Sequence, residues 1–138
     1  MPFKVIIVDD EKLARDEMRF LLSHEKDVEI VAEAAGGREA VDLVREKRPD
    51  AVFLDIQMPE MNGFQVVGEL LKEGDVPLII FATAYDSYAI KAFEVNALDY
   101  LLKPIDRARL GDALAKARRA APRREEFTKR LRALAEGI

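Results

Sequence analysis

Residues 51–63 read AVFLDIQMPEMNG: four apolar residues run into a single carboxylate, Asp55, before a proline and a glycine turn the chain. An ionised side chain at the edge of a buried strand is costly. Asp55 is therefore either a solvated loop residue or a reactive group, and the rest of the chain must decide. Residues 51–54 are one of five short apolar runs rich in Val, Ile, Leu and Phe. The others are 3–8 (FKVIIV), 28–33 (VEIVAE), 77–82 (PLIIFA) and 97–102 (ALDYLL). Their length and composition predict strands.

Between these runs the apolar period changes. Ala14, Met18, Leu21 and Leu22 share one helical face, as do Ala40, Val41 and Val44, and again Leu110, Ala113, Leu114 and Ala117. Pro49 stops the second helix, the Gly63 region starts the third, and Gly74 with Pro77 closes it. Asp86-Ser87 is the expected N-cap of the fourth. The order is (βα)5. Nearly continuous apolar strands indicate a sheet covered on both faces, and crossovers of this kind favour a right-handed parallel sheet. The expectation is a three-layer α/β sandwich over residues 3–121. Pro122 breaks the chain after the fifth helix, and residues 122–138 read as a linker whose Phe127, Leu131 and Leu134 give a short amphipathic helix.

Bulk properties narrow the class. The 138 residues suit one domain with a short appendage and contain no cysteine, which excludes disulfides and thiolate metal sites and fits a reducing cytoplasm. No segment approaches a membrane span or a signal peptide. The formal charge of −4 hides a division: 12 basic against 22 acidic side chains through residue 106, then 10 against 4 from residue 107 on. A basic tail on an acidic body either solvates helix ends or meets an acidic partner such as nucleic acid.

Ligands of open parallel sheets bind outside the carboxyl ends of the strands. In this sequence those ends carry Asp9-Asp10-Glu11, Asp55, Thr83 and Lys103-Pro104. Two carboxylates ~4 Å apart repel by about 4 kcal/mol at an effective dielectric of roughly 20. Clustered acids therefore call for protons or a shared cation, and an all-oxygen site suits Mg²⁺. Asp9 or Asp10 could instead cap the first helix, and Lys103 could make a structural salt bridge. Together, however, an ammonium and a hydroxyl beside a metal-bound carboxylate suit a phosphoryl group, whose oxygens need cations and donors. A carboxylate can be the nucleophile that forms an acyl phosphate. Asp55 is the candidate acceptor, Asp9 and Asp10 the candidate metal ligands, and Lys103 and Thr83 the groups that pair with phosphoryl oxygens.

Asp9-Asp10, Asp55 in LDIQMPEMNG, Thr83 in FATAY and Lys103-Pro104 resemble, in order, the motifs of the receiver domain of two-component response regulators. The resemblance covers roughly residues 3–120. It implies a flavodoxin-like sheet order of 2-1-3-4-5, phosphorylation of Asp55 by a sensor histidine kinase, and a Mg²⁺ site of Asp9, Asp10, Asp55 and the Gln57 backbone carbonyl. It also implies a cis Lys103–Pro104 bond and a switch in which Tyr100 follows Thr83. Residues 81–105, FATAYDSYAIKAFEVNALDYLLKPI, are similar to the LytR/AlgR (LytTR) subfamily, whose output is a C-terminal DNA-binding domain. On that likeness residues 1–121 are the receiver and 122–138 lead to an output domain outside this chain, so DNA would be met only through that domain.

Tyr88, Ala92 and Val95 on one stripe, with Ile90 and Phe93 on other faces, predict a homodimer surface on helix 4, strand 5 and helix 5. His24, the single histidine, falls near the end of the first helix and is expected to do helix-end chemistry. Two competing readings are a stand-alone receiver that acts through protein contacts and an aspartyl phosphatase of the haloacid-dehalogenase type. The latter family carries a second acid two residues after the nucleophile, where this chain has Gln57. A nucleotide-binding protein would want a glycine-rich turn after strand 1, where Asp9-Asp10-Glu11-Lys12 stands. The expectation is a switch that is no enzyme beyond Mg²⁺-dependent self-phosphorylation and self-dephosphorylation.

Overall fold

A computed structural model describes residues 2–74, 76–94, 97–123, 129–130 and 132–133. Strand β1 (Phe3–Val8) leads to α1 (Lys12–Leu22), β2 (Val28–Ala34), α2 (Gly37–Lys47), β3 (Ala51–Leu54) and α3 (Gly63–Leu71). Then come β4 (Leu78–Thr83), a 3₁₀ turn (Asp86–Tyr88), α4 (Ala89–Glu94), β5 (Asp99–Leu102), α5 (Arg107–Ala120) and a second 3₁₀ turn (Ala121–Arg123). The five strands are parallel in the order β2-β1-β3-β4-β5.

Side chains alternate across the pleat, so each strand feeds two cores. Ile6, Val8, Val52, Leu54, Ile79 and Phe81 face one way and meet Val41 of α2, Val66 and Leu70 of α3 and Ala92 of α4. Val5, Ile7, Phe53, Ile80 and Leu101 face the other way and meet Met18 and Leu22 of α1 and Leu110 and Leu114 of α5. This is why strands β1, β3 and β4 are nearly all apolar: neither face meets water. Each such side chain contributes roughly 1.5–3 kcal/mol by leaving water.

Boundaries depart from expectation by small amounts with visible causes. Pro77 has no N–H for the ladder, so β4 begins at Leu78, whose amide donates to the Asp50 carbonyl at 3.0 Å. Ala97 does not open β5, because its amide donates back to the Ala92 carbonyl at 3.1 Å; the Leu98 amide donates to the Ile79 carbonyl at 2.8 Å, and the strand begins at Asp99. β2 runs on to Ala34, whose carbonyl accepts from the Asp9 amide at 3.0 Å. Asp86-Ser87 opens a 3₁₀ turn rather than capping α4, and Tyr85 precedes that turn with no side-chain cap. Pro122 lies in the 3₁₀ turn that ends α5. Val95 and the residues Phe127, Leu131 and Leu134 of the expected tail helix lie outside the described residues.

The loop between β3 and α3 is held at several points. Gly63 is required by close approach: a Cβ there would stand 2.6 Å from the Asp55 carbonyl oxygen. Its amide donates to the Ile56 carbonyl at 2.8 Å. Asn62 caps α3 reciprocally, its side chain accepting from the Gln65 amide at 2.9 Å while the Gln65 side chain accepts from the Asn62 amide at 2.8 Å. The loop after Asp55 is thereby fixed at both ends.

Candidate functional site

The sheet order places the switch point between β1 and β3, parallel hydrogen-bonded neighbours from which the chain adds β2 on one side and β4 and β5 on the other. Such a switch point leaves a crevice at the strands' carboxyl ends. Register then sets what lines it. Val8 pairs with Leu54, Leu54 with Phe81, and Thr83 with Leu102, so the next residues, Asp9, Asp55 and Lys103, emerge on one rim beside Thr83. The Asp55 amide donates to the Val8 carbonyl at 3.0 Å, and the Lys103 amide donates to the Thr83 carbonyl at 2.8 Å. A cis Lys103–Pro104 bond follows, as the motif implied.

Asp9, Asp55 and Thr83 are 4%, 6% and 0% exposed, the described buried polar side chains of the domain, while Asp10 is open to solvent. Oxygens of Asp9, Asp10 and Asp55 lie within 4.8 Å of one another. The Lys103 ammonium stands 2.5 Å from Asp9 Oδ2 and 3.4 Å from Asp55 Oδ2. The two buried acids are further held from the backbone: Asp55 Oδ1 accepts from the Ile56 amide at 2.7 Å, and Asp9 Oδ1 from the Glu11 amide at 3.0 Å. The Asp9 carbonyl accepts from Arg15 Nη1 at 2.7 Å, a support from α1 that no sequence pattern signalled.

The electrostatics follow from this packing. Burial pushes the Asp55 carboxyl above its ordinary pKa, and the Asp9 charge adds to that. Lys103, the Ile56 amide and the Thr83 hydroxyl pull the other way without reversing it. Burial disfavours the Lys103 ammonium, but the hydrogen bond to Asp9 and the charges of Asp55 and Asp9 outweigh it and raise its pKa. Three carboxylates against one ammonium leave the rim two negative charges in excess. An all-oxygen donor set with that deficit fits a divalent cation such as Mg²⁺, with room left for water or a phosphoryl oxygen because Asp10 is open.

The remaining residues singled out from sequence sit around this centre. The Tyr100 hydroxyl donates to the Tyr85 carbonyl, joining β5 to the loop after Thr83. The Tyr85 amide faces Thr83 Oγ1 at 3.4 Å. The Gln57 side-chain amide donates to the Tyr88 hydroxyl at 2.8 Å, a contact across 31 residues that sequence reasoning missed, having placed Tyr88 only on a helix face. His24 is remote from the rim, its Nδ1 lying 3.0 Å from the Phe20 carbonyl at the end of α1. Met58 of the β3–α3 loop is buried in the core, and Met61 packs against Gly37 of α2.

With the fold and rim in place, the comparisons with known proteins are specific. The family described as the response regulator receiver domain matches residues 5–115. A sensory transduction protein LytT of Bacillus cereus is 52% identical over 113 residues, covering 82% of this chain and 46% of that protein. The transcriptional regulatory protein BtsR of Escherichia coli is 54% identical over 115 residues, covering 83% and 48%. This chain therefore spans about half the length of the curated relatives it matches. Among solved structures, the REC domain of AraT, a response regulator from Geobacillus stearothermophilus, superposes with a TM-score of 0.79 at 36% identity, covering 89% of this chain and 98% of that one.

Proposed function

This chain belongs to the response regulator receiver domain family, and from that premise we propose that it is a phosphorylation switch whose acceptor is Asp55 and whose donor is a sensor histidine kinase. The observation that carries the reading is the rim itself: one buried carboxylate gathered with two further acids, an ammonium and a buried hydroxyl. We assign residues 1–121 to the receiver and 122–138 to a linker toward a DNA-binding output domain. The relatives named as transcriptional and sensory regulators, about twice as long as the segment matched here, support that assignment. We place the protein in the cytoplasm, beside the kinase; among the described residues no helix is long and apolar enough to cross a membrane.

In the proposed reaction an Asp55 oxygen attacks phosphorus as the bond from phosphorus to the kinase imidazole nitrogen breaks, and the imidazole leaves with the bonding pair. The product is an acyl phosphate. Lys103 pairs with one phosphoryl oxygen, and the Thr83 hydroxyl donates to another. Asp9, Asp10, Asp55 and the Gln57 carbonyl would hold Mg²⁺, which when bound supplies positive charge against the phosphoryl oxygens. Hydrolysis reverses the state: water attacks phosphorus, the bond to Asp55 breaks, and carboxylate and inorganic phosphate result. The chain is in this sense a switch, and its catalysis is limited to its own phosphorylation and dephosphorylation.

The buried Thr83 hydroxyl, which already meets Asp55, turns to the new acceptor oxygens, and the loop to Tyr85 moves with it. Tyr100 is bound to the Tyr85 carbonyl and follows. The surface changed by that movement is α4, β5 and α5, where Ile90 and Phe93 stand 75% and 84% exposed and Leu102 adds a third apolar side chain. We assign a homodimer contact to that face. The test of the acceptor assignment is intact-mass spectrometry after incubation with Mg²⁺ and acetyl phosphate. Wild type should gain one phosphoryl group and Asp55→Asn none. A phosphorylated Asp55→Asn would overturn it.

A further inference from the structure

Among the described helices, α1, α2, α4 and α5 each carry a cation in the last turn: Arg19, Arg45 with Lys47, Lys91, and Arg118 with Arg119. Helix α3 carries none. The last carbonyls of a helix lack partners within it and bear the negative end of its dipole, so a cation there is favourable. Lys72, the next residue, is engaged by the Glu69 carboxylate at 3.0 Å. Residues 69–75 hold three acids against that one lysine. Gly74, at φ 105°, then turns the chain out of the helix in a backbone region that favours glycine. The missing cation arrives from far along the chain. Arg132 Nη2 donates to the Gly74 carbonyl at 3.0 Å and, at 3.4 Å, to the Leu71 carbonyl. The arginine is partly buried in this contact.

The path of the chain gives this contact its meaning. Helix α5 packs on the sheet face opposite α3, and Arg118 near its end donates to the Lys26 carbonyl at 2.6 Å, in the loop that leads into β2. Gly74 lies in the loop that leads into β4. Both loops sit at the amino ends of the strands, so the chain passes from α5 across that edge of the sheet to reach the other helical layer at Arg132. We propose that the carboxyl end of α3 is the docking site of the chain's own tail, with Arg132 as its anchor on the Leu71 and Gly74 carbonyls. Charge favours the pairing: residues 122–138 carry five basic and three acidic side chains, and the end of α3 is acidic. Helix α3 is then gripped at both ends, by the Asn62–Gln65 capping box at the acceptor loop and by Arg132 at the opposite edge of the sheet. On the reading that residues 122–138 lead to an output domain, the anchor fixes where that domain leaves the receiver. The docking itself does not depend on that reading.

The test uses the whole chain, which contains no cysteine, so Ala133→Cys provides a single site for a nitroxide label beside Arg132. Ala133 is exposed, and the label does not enter either core. The amide NMR signals of residues 71–74 should be broadened by the label and should recover when it is reduced. Adding Arg132→Gln should lower the ratio of docked to undocked tail roughly five- to tenfold, the scale of a cation that hydrogen-bonds a helix end. Arg132→Lys keeps the charge and should restore part of the docking, and the restored part should weaken as salt is raised. Circular dichroism checks that the receiver stays folded in each variant. In unlabelled protein, hydrogen exchange over residues 69–75 should be faster in Arg132→Gln than in wild type, which decides the matter if the label itself disturbs the tail. Broadening undiminished by Arg132→Gln, or no broadening together with unchanged exchange, would overturn the anchor. A docked tail in a protein that ends at residue 138 would leave the anchor standing and overturn the output-domain reading instead.

Discussion

Replacing Asp55 by asparagine should raise the thermal stability of the metal-free domain while removing most of its response to Mg²⁺. The side chains are nearly isosteric, and asparagine can still accept from the Ile56 amide, so the change is chiefly one of charge. At an effective dielectric of roughly 20, a carboxylate oxygen within 4.8 Å of one on Asp9 suffers about 3 kcal/mol of repulsion or more, with a smaller, solvent-screened share from the exposed Asp10. Lys103, 3.4 Å away, returns about 5 kcal/mol. These terms nearly cancel, which leaves burial of the charge to decide, and burial costs up to several kcal/mol per ion. The upward displacement of the Asp55 pKa has the same sign: ionised Asp55 is a net burden on the fold. Asp55→Asn should therefore gain on the order of 1 kcal/mol in EDTA at neutral pH, or about 3–5 °C in Tm for a domain of this size. The pH dependence has a definite sign. A carboxyl whose folded pKa is raised burdens the fold increasingly as pH rises from the ordinary carboxylate value through the raised one. The advantage of asparagine should accordingly fade as the pH is lowered through that window. Adding Mg²⁺ to about 100 times its Kd should stabilise wild type by ~2.7 kcal/mol, and the variant by less. Melts followed by circular dichroism in EDTA and in Mg²⁺ read both effects. A lower Tm for Asp55→Asn in EDTA would refute the charge balance, showing that Lys103 outweighs burial and repulsion together.

Lys103→Met removes the cation that faces both buried acids and should destabilise the metal-free domain by about 1–3 kcal/mol, less than the roughly 3–5 kcal/mol for breaking a fully buried pair because the lysine is only half-buried; urea unfolding measures it, and the phosphoryl yield with acetyl phosphate should fall in parallel. Asn62→Ala breaks the reciprocal cap of α3 and should cost about 1 kcal/mol, read as a lower urea midpoint at unchanged m-value. Phe93→Glu places a charge on the most exposed large apolar side chain of α4 and should leave the Tm within about 2 °C while abolishing association on phosphorylation in sedimentation velocity.

Much of this site could be read in the sequence because parallel sheets write it there. Strands buried on both faces are short apolar runs, and the first polar residue after each run lies on the carboxyl rim. That alone gathers Asp9, Asp55, Thr83 and Lys103 on one rim. What could not be read was whatever depends on contacts between loops. The hydrogen bond from Gln57 to Tyr88 joins residues 31 positions apart, and neither side chain carries a pattern that announces it. The 3₁₀ turn at Asp86–Tyr88 escaped for a related reason: Asp86 and Ser87 suit a cap, but the chain tightens one turn earlier, after an extended Tyr85. The start of β5 differs from the sequence expectation because Ala97 is apolar enough for a strand, yet its amide is taken by the end of α4.

The most direct measurement of the central claim is the chemical address of the phosphoryl group. The protein, incubated with Mg²⁺ and acetyl phosphate, is reduced with borohydride, which converts an acyl phosphate to the alcohol, and its peptides are sequenced by mass spectrometry. The account predicts reduction at residue 55, dependent on both Mg²⁺ and the phosphate donor. Reduction at Asp9 or Asp10 instead, or a stable phosphoester on Thr83 or Ser87 with Asp55 untouched, would contradict it.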